Sequence, residues 1–421
     1  MHFMMAIQIS EDETVAIGFS KTMQNLLCDL VLWGIIVIVN TEVGKIFGQR
    51  EQLELAPKIL YYCIIICLIY NFFGYLPLIL FTKSLLRATT NLNPNVVDLV
   101  ETLNLQTFIP AAVCNTNLAF AAYFQSLGYA NEISKWNAFT TIFSTAFFLS
   151  TFYYFNWGLY SYIWSTWLVG VFQIMVTLGF YFIKISKHLR IPNFKISLPH
   201  MKYLVTETIK NGFIEYLDYF DTQILMFLSA DILGRAENAA ITYGISLVST
   251  ITMTCYPGIR LPYVSLTEIM SKKQVEHFKS IFWNCIMAVF VYTSIFGIPF
   301  VIFREPISNK SFKSDPDASE YLKHQMVLTI IPAVFKICIF FLLDMLKGIK
   351  RRNFAILVIV IKTAAFFGLG YFFRYLNIFN EQGMDLLFSL TFCIFIQFVV
   401  FEIYFMHVDW KKISEAVEIL Q

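Results

Sequence analysis

The sequence predicts an all-α polytopic membrane protein with about eleven transmembrane helices in two pseudo-symmetric parallel-repeat bundles. Composition, span length and an internal repeat lead to this prediction. Of the 421 residues, 57% are hydrophobic and 14% are charged, whereas soluble domains have about 45–50% apolar and about 25% charged residues. This composition excludes a soluble enzyme, a disordered chain and a coiled coil, and it makes the lipid bilayer the expected environment. The net charge of +2 predicts no nucleic-acid partner.

Eleven stretches are apolar over about 20 residues, the length that crosses a bilayer as a helix. Helices are expected because lipid cannot satisfy the backbone groups of open strands. Short polar connectors separate most of the stretches. The predicted spans are 15–39, 57–82, 103–127, 132–155, 158–184, 203–229, 237–263, 276–303, 319–346, 352–376 and 383–407.

Lys and Arg residues sort the connectors into two sides. The side that includes 40–58, 184–202 and the C-terminus carries 18 of them, and the other side carries 8. Because cytoplasmic loops are enriched in Lys and Arg, the C-terminus is predicted to be cytoplasmic and the N-terminus to lie outside. The N-terminus has no signal-peptide pattern, so an outside N-terminus suggests that one leading span is missing from this sequence.

An internal repeat predicts the two bundles. Ile-Pro-Ala occurs at 109–111 and again at 331–333, and the two spans end in Gly128 and Gly348. The copies have the same orientation, which predicts parallel repeats of a kind known in transporters. The predicted organisation is an N-terminal lobe of five helices over 1–184, a cytoplasmic linker over 185–202 and a C-terminal lobe of six helices over 203–421, ending in a short tail.

The sixth span carries an unusual acidic stripe. Ionisable groups at bilayer depth cost roughly 2.5–3.5 kcal/mol each on insertion scales and are therefore functional candidates. The stripe cannot face lipid, so it is expected to face a partner helix or a water-filled cavity, where crowded carboxylates would exchange a proton and neutralise a cationic substrate. In the alternative interpretation, Glu207 and Glu215 only pair with bases such as Lys336 or Lys210. At helical spacing the stripe contains Glu207, Asn211, Glu215, Asp218, Asp221 and Thr222.

Other polar residues and prolines inside the spans carry weaker predictions. For the polar residues, an interhelical hydrogen bond or a snorkelling amine is as plausible as a substrate contact. Pro110, Pro332 and Pro257 are predicted hinge or structural positions because proline interrupts helical hydrogen bonding. Catalytic motifs and metal-ligand spacings are absent, so no enzyme activity, cofactor or metal is predicted. The polar residues are Lys21, Gln24, Asp29, Asn115, Asn117 and Lys362.

Several motifs resemble those of the multidrug and toxic compound extrusion (MATE) family, in its eukaryotic branch. The segment 218–223 is similar to the family's E-W-W-x-x-E motif in the seventh helix. The order and spacing of all the matching motifs support the resemblance from about residue 14 to the end of the chain. The other matching stretches are 41–48, similar to T-x-x-x-Q-x-x-G; 109–110 with 124–128, similar to P…F-L-Q-x-Q-G; 347–348, similar to the R-G of G-x-x-R-G; and 409–410, similar to D-W.

The resemblance implies twelve family helices, of which this chain lacks the first. It also implies a secondary antiporter that exports organic, often cationic, solutes in exchange for protons, or less readily sodium, by alternating access of two lobes. Asp218 would be the protonation and cation site. The residues implied around it are Asp221, Glu215 and Gln223 as neighbours and Lys336 as a possible counter-charge.

The chain departs from the family pattern at three places. Gln223 replaces the second acid of the seventh-helix motif, the R-V-G-N stretch is largely lost at 266–269, and Lys336 aligns with an acid that some members carry. Two alternatives therefore stay open: a lipid or lipid-linked sugar flippase of the same superfamily, and a non-transporting paralogue. The resemblance implies a monomer in the plasma or vacuolar membrane.

Overall fold

The computed structural model describes residues 11–43, 46, 55–180, 197–248, 251–252, 275–312, 315–349, 351–376, 378–379 and 382–410. All regular secondary structure in this part of the chain is helical, which confirms the predicted fold class. Each of the eleven predicted spans overlaps one helix in its described part. The span 237–263 is described only as far as 248 and at 251–252.

The described helices are numbered here in chain order. They are α1 (Glu11–Ile38), α2 (Leu55–Thr89), α3 (Pro94–Phe124), α4 (Ala130–Tyr153), α5 (Leu159–Phe180), α6 (Leu198–Ile232), α7 (235–248), α8 (Val275–Ile302), the short α9 (Arg304–Ser311), α10 (Pro316–Gly348), α11 (Arg352–Leu376) and α12 (Gln382–His407). Wider π-helical turns extend α1 over Val39–Val43 and α3 over Gln125–Tyr129. In the second of these turns Gly128 has φ +90°, a left-handed conformation that favours glycine.

Seven helices among the described residues are long and apolar enough to cross a membrane: α2, α3 with its π-helical turn, α5, α8, α10, α11 and α12. α1 is bent by 56° between Asp12–Leu27 and Val31–Ile38 and is an eighth span if the two parts count as one. The predicted spans 132–155 and 203–229 form α4 and α6, which are long enough but less apolar. In α6 the acidic stripe lowers the hydropathy. The chain is therefore a multi-pass membrane protein.

The chain divides into two compact units. One is Phe19–Tyr216, and the other combines Met1–Gly18 with Leu217–Gln421. The division falls inside α6, whereas the linker was predicted over 185–202, most of which lies outside the described residues. The predicted lobe boundaries therefore stay a prediction.

In the unit Phe19–Tyr216, α3 packs against α2 and α5. A buried polar network joins its first three helices: Ser20 donates to Asn104 Oδ1 at 2.7 Å, Gln24 Nε2 donates to Thr107 at 3.0 Å, and Asn104 Nδ2 donates to Thr82 at 3.0 Å. Hydrogen bonds of this kind join helices where lipid offers no partner for polar groups. The network accounts for the buried Gln24 of the first span.

In the unit that begins at Leu217, α10 is the central helix. It packs against α8, α9 and α12. Its most apolar stretch is 72% buried, against 24%, 28% and 44% for α8, α11 and α12. A helix that is apolar on all sides is expected at the centre of a bundle. This position brings the one basic residue in the middle of α10, Lys336, to the inside of the unit.

Candidate functional site: a buried charge cluster on α6, α10, α11 and α12

Two acids of α6 form the centre of the candidate site. Asp218 and Asp221 are three residues apart, so they lie on one face of the helix one turn from each other. Their side chains are buried, with relative exposures of 1% and 0%. Buried carboxylates need compensating charges or hydrogen bonds, and three other helices supply them.

Lys362 of α11 bridges the two acids. Its Nζ is 3.0 Å from Asp218 Oδ1 and 3.0 Å from Asp221 Oδ2. It also lies 3.4 Å from the backbone carbonyl of Asp218. The side chain is itself buried. Since a lone ammonium at this depth is costly, the negative charge of these carboxylates offsets the cost of burying it.

Lys336 of α10 is the second base. Its Nζ donates to Thr222 Oγ1 at 2.7 Å and lies 3.6 Å from Asp221 Oδ1. The same ammonium is 4.7 Å from the centre of the Tyr219 ring, a cation–π distance. Tyr219 in turn stacks on Phe340 of α10, with ring centres 5.3 Å apart. The ring and the hydroxyl replace the water that this ammonium would otherwise bind.

Gln397 of α12 completes the cluster. Its Nε2 donates to Asp218 Oδ1 at 2.8 Å. With both acids ionised, the two Asp and two Lys residues have no net charge. The charge cluster, defined here as Asp218, Asp221, Thr222, Lys336, Lys362 and Gln397, is thus an internally compensated group inside one unit.

Of the two surroundings expected for the acidic stripe, partner helices or a water-filled cavity, Asp218 and Asp221 have partner helices. Both face Lys362 of α11, and Asp221 also faces Lys336 of α10. Helical periodicity shows which residues share a face but not what that face contacts. Glu207 pairs with Lys210 at 3.3 Å, which is one of the pairings named in the alternative interpretation.

The remaining predicted site residues are placed as follows. Gln223 is buried on α6, roughly 140° around the helix from Asp218 at 100° per residue, so it lies on another face. Glu215 is on α6, but its side chain is outside the described part. Pro110 and Pro332 lie within the uninterrupted helices α3 and α10. Pro257 and 266–269 are outside the described residues.

The sequence interpretation did not assign Lys362 and Gln397 to the site. Lys362 was noted only as a polar residue of the tenth span, although two acids without a base within one helical turn of them on α6 were a signal to look for a base on another helix. Gln397 lies in the apolar stretch 392–401 of α12, and an amide in such a stretch is itself a signal of an interhelical hydrogen bond.

A separate cavity lies in the unit Phe19–Tyr216. It has a volume of about 570 Å³ and is lined by α2, α3 and α5. Its described lining is apolar and aromatic with a few neutral polar groups, among them Asn71, Thr116 and Asn117. A lipid or lipid-linked sugar flippase is expected to have cationic residues in a cavity of the N-terminal lobe, and the described lining of this cavity contains none.

Solved structures share the whole fold. The eukaryotic MATE transporter AtDTX14 aligns over 99% of this chain and 92% of its own, with a TM-score of 0.78 and 15% identity. An inward-facing multidrug resistance MATE transporter of the MOP superfamily aligns over 98% and 94%, with a TM-score of 0.72 and 14% identity. A MOP transporter from Pyrococcus furiosus Vc1, whose binding pocket has a reverse polarity that suggests a different function, aligns over 96% and 93%, with a TM-score of 0.65 and 13% identity.

The sequence itself matches no family model and no curated protein. At 13–15% identity the likeness to these structures is one of fold. It confirms the fold that the sequence motifs implied.

Proposed function

Because the chain has the fold of the MATE transporters, we propose that it is a secondary active transporter that exports small organic solutes, often cationic, in exchange for protons. The observation that carries this proposal is the charge cluster. It holds two ammonium groups by carboxylates, a hydroxyl and an aromatic ring, which are the groups that bind organic amines. The cluster thus binds the ammonium groups of Lys336 and Lys362 in the way that it would bind the cationic group of the proposed substrate.

Asp218 is the proposed exchange site. Three cations compete for its single negative charge: the Lys362 ammonium, a proton and an organic cation. Binding a proton removes the negative charge and so weakens the hold on any other cation. In the proposed cycle Asp218 takes a proton on the outer side and releases substrate, and on the inner side it loses the proton and binds substrate again.

The closed geometry adds one requirement to this cycle. Since Lys362 contacts both acids, a substrate cation reaches Asp218 only after α11 or the Lys362 side chain moves away from α6. A substrate that binds the opened arrangement more tightly than the closed one would shift the equilibrium towards it. Lys362 is therefore the proposed internal competitor of the substrate.

Transport by the full chain in proteoliposomes tests the proposal. With an imposed pH gradient, a fluorescent organic cation is expected to move in the direction opposite to the protons. Asp218→Asn is expected to abolish the pH-dependent part of this transport. Asp231→Asn is the matched control, because Asp231 is an exposed acid on the same helix. Unchanged pH-dependent transport in Asp218→Asn would contradict the antiport mechanism, and lipid scrambling without cation transport would favour a flippase.

The same cluster favours a second candidate, a non-transporting membrane protein. A fully buried and internally neutral set of ion pairs is also what a fixed structural connection between helices requires. This candidate predicts that the purified chain moves neither cations nor lipids at any pH, while it stays folded in the same vesicles.

A further inference from the structure

The hydrogen bonds at Asp218 are unevenly divided between its two oxygens. Oδ1 accepts from Lys362 Nζ at 3.0 Å and from Gln397 Nε2 at 2.8 Å. Oδ2 is buried and has no hydrogen-bond partner within the described part of the chain. A buried carboxylate is expected to share its donors between both oxygens, because an acceptor buried without a donor is costly. One oxygen with two donors and one with none is the pattern of a neutral acid, whose O–H needs an acceptor.

Asp221 differs from Asp218 in its ion pairs, although its Oδ2 is likewise buried without a hydrogen bond in the described part of the chain. Its Oδ1 accepts from the Thr222 backbone N–H at 2.7 Å and lies 3.6 Å from Lys336 Nζ. Its Oδ2 lies 3.0 Å from Lys362 Nζ. Each oxygen of Asp221 therefore faces an ammonium group. This arrangement fits a permanent anion, so the two acids of the cluster are not equivalent.

Gln397 has the acceptor that Asp218 Oδ2 lacks. The Gln397 side chain is 1% exposed, its Nε2 is used by Asp218 Oδ1, and its Oε1 has no partner among the described residues. The reverse amide orientation would place two acceptors against each other, so the contact with Oδ1 fixes which atom is the nitrogen. A carboxylic acid and an amide can pair through two hydrogen bonds, N–H to one carboxyl oxygen and O–H to the amide oxygen. The N–H bond from Gln397 to Asp218 is present. The two oxygens that the O–H bond would join, Asp218 Oδ2 and Gln397 Oε1, have no hydrogen-bond partner among the described residues.

We propose that Asp218 Oδ2 is the atom of the charge cluster that binds the exchangeable proton, and that Gln397 positions it by accepting the O–H hydrogen bond on Oε1. The inference builds on the proton exchange proposed above. A hydronium ion from the water phase gives up the proton, an O–H bond forms at Oδ2, and water is released. The cluster then changes from no net charge to one excess positive charge.

Asp221 keeps the protonated cluster together. Among the described residues, Lys362 of α11 pairs with both acids. Lys336 of α10 faces Asp221 and the Tyr219 ring, and Cys393 of α12 is close enough to Asp221 and Lys362 to interact with them electrostatically. When Asp218 becomes neutral, Asp221 still lies 3.0 Å and 3.6 Å from the two ammonium groups. The protonated Asp218 Oδ1 keeps its two donors. Proton uptake therefore needs no new partner except Gln397 Oε1, which makes Gln397 a positioning residue.

Infrared difference spectroscopy of the full chain in lipid vesicles tests this assignment directly. Lowering the pH is expected to produce a carboxylic acid C=O band that shifts in D₂O and is absent in Asp218→Asn. In Gln397→Leu the band is expected at higher frequency, because the acid has lost its hydrogen bonds to the amide. Gln397→Met, which keeps the side-chain length without the amide, should give the same shift if the Leu variant folds poorly.

Gln325→Leu is the matched control, since Gln325 is another buried glutamine of the same unit, on α10. It is expected to leave the band unchanged. A band that Gln397→Leu does not move, a band that persists in Asp218→Asn, or no carboxyl band at any pH would each overturn the inference. The purely structural role of Gln397 predicts lower stability with an unshifted band.

The spectroscopic result is separable from the proposed function because it needs no substrate. A band that behaves as expected in a chain without cation–proton exchange supports the inference and contradicts the antiport mechanism. Proton-coupled transport without an Asp218 band contradicts the inference and leaves the antiport mechanism standing.

Discussion

At the residue scale, Lys362 differs from the exposed bases of the chain in how much its charge contributes to the stability of the protein. Lys83 also has two acidic partners, Asp98 at 3.1 Å and Glu101 at 2.8 Å, but its side chain is 39% exposed. Water screens such surface pairs, and they contribute little to stability. Lys362 is sealed from solvent, so its loss would leave a buried negative charge without compensation.

Lys362→Met is expected to destabilise the protein by about 3–5 kcal/mol, the usual effect of removing one partner of a buried ion pair. The measurement is the midpoint of thermal unfolding in detergent. Lys83→Met, the matched surface control, is expected to change the midpoint little. Adding Asp218→Asn to Lys362→Met should restore part of the loss, because Asp221 and Lys336 then remain as a balanced pair. Equal shifts for the two single variants would contradict this account.

Sequence reasoning identified the acids of the cluster but only part of their surroundings. Asp218 and Asp221 stand out because carboxylates are rare within apolar spans and three-residue spacing places them on one helix face. Their contacts with Lys362 and Gln397 join residues 144 and 179 positions apart in the chain. No local pattern encodes a separation of that length, so only the packing of α11 and α12 against α6 revealed it.

At the element scale, a close helix crossing stands out in the unit Phe19–Tyr216. Gly34 of α1 packs directly on the backbone of α6, where a Cβ atom on Gly34 would be 1.9 Å from the Thr208 carbonyl oxygen. Small residues at such crossings let helix backbones approach closely in membranes. The backbone of Thr208 cannot rotate away as a flexible side chain would, so the crossing depends on glycine.

Gly34→Ala is expected to force α1 and α6 apart and to destabilise the protein by about 1–3 kcal/mol, as overpacking usually does. Thermal unfolding in detergent measures the effect. Gly368→Ala on α11 is the control, because nothing lies within 4 Å of a Cβ atom there; alanine is also the better helix former at that position. A Gly368 variant that is as unstable as the Gly34 variant would contradict the crossing.

The positions of the helices followed from hydropathy, whereas their bends did not. Apolar length predicted a helix in the described part of each of the eleven spans, because a segment in lipid must satisfy its own backbone groups. The 56° bend between the two parts of α1 and the helical continuity of α3 through Pro110 were not predictable. Both depend on the neighbours that pack against the helix at that point.

At the scale of the whole molecule, the distribution of Lys and Arg determines the expected orientation. The 18 to 8 bias between the two sides favours the more basic side in the cytoplasm, because basic loops are retained there during insertion. The connector between α2 and α3 is then on the non-cytoplasmic side, and so are the C-terminal ends of α4 and α6.

An epitope tag after Gln421 is expected to be accessible to antibody only in permeabilised cells. A tag inserted between Thr90 and Asn93, in the connector from α2 to α3, should be accessible in intact cells if the protein is in the plasma membrane. In an internal membrane, selective permeabilisation of the plasma membrane should expose only the C-terminal tag. The reverse pattern in either case would show that the charge bias does not set the orientation.

By itself the sequence determined the helical membrane fold, the approximate places of the described helices, and the acidic face of α6, because hydropathy and helical periodicity are local properties that lipid and backbone geometry enforce. Only the tertiary structure decided what that face contacts. Long-range packing places two lysines and a glutamine against Asp218 and Asp221, so these two acids of the stripe face partner helices in a sealed and charge-compensated cluster and not a water-filled cavity. The pairing depends on which helices become neighbours, and the energy that selects them is spread over the whole bundle.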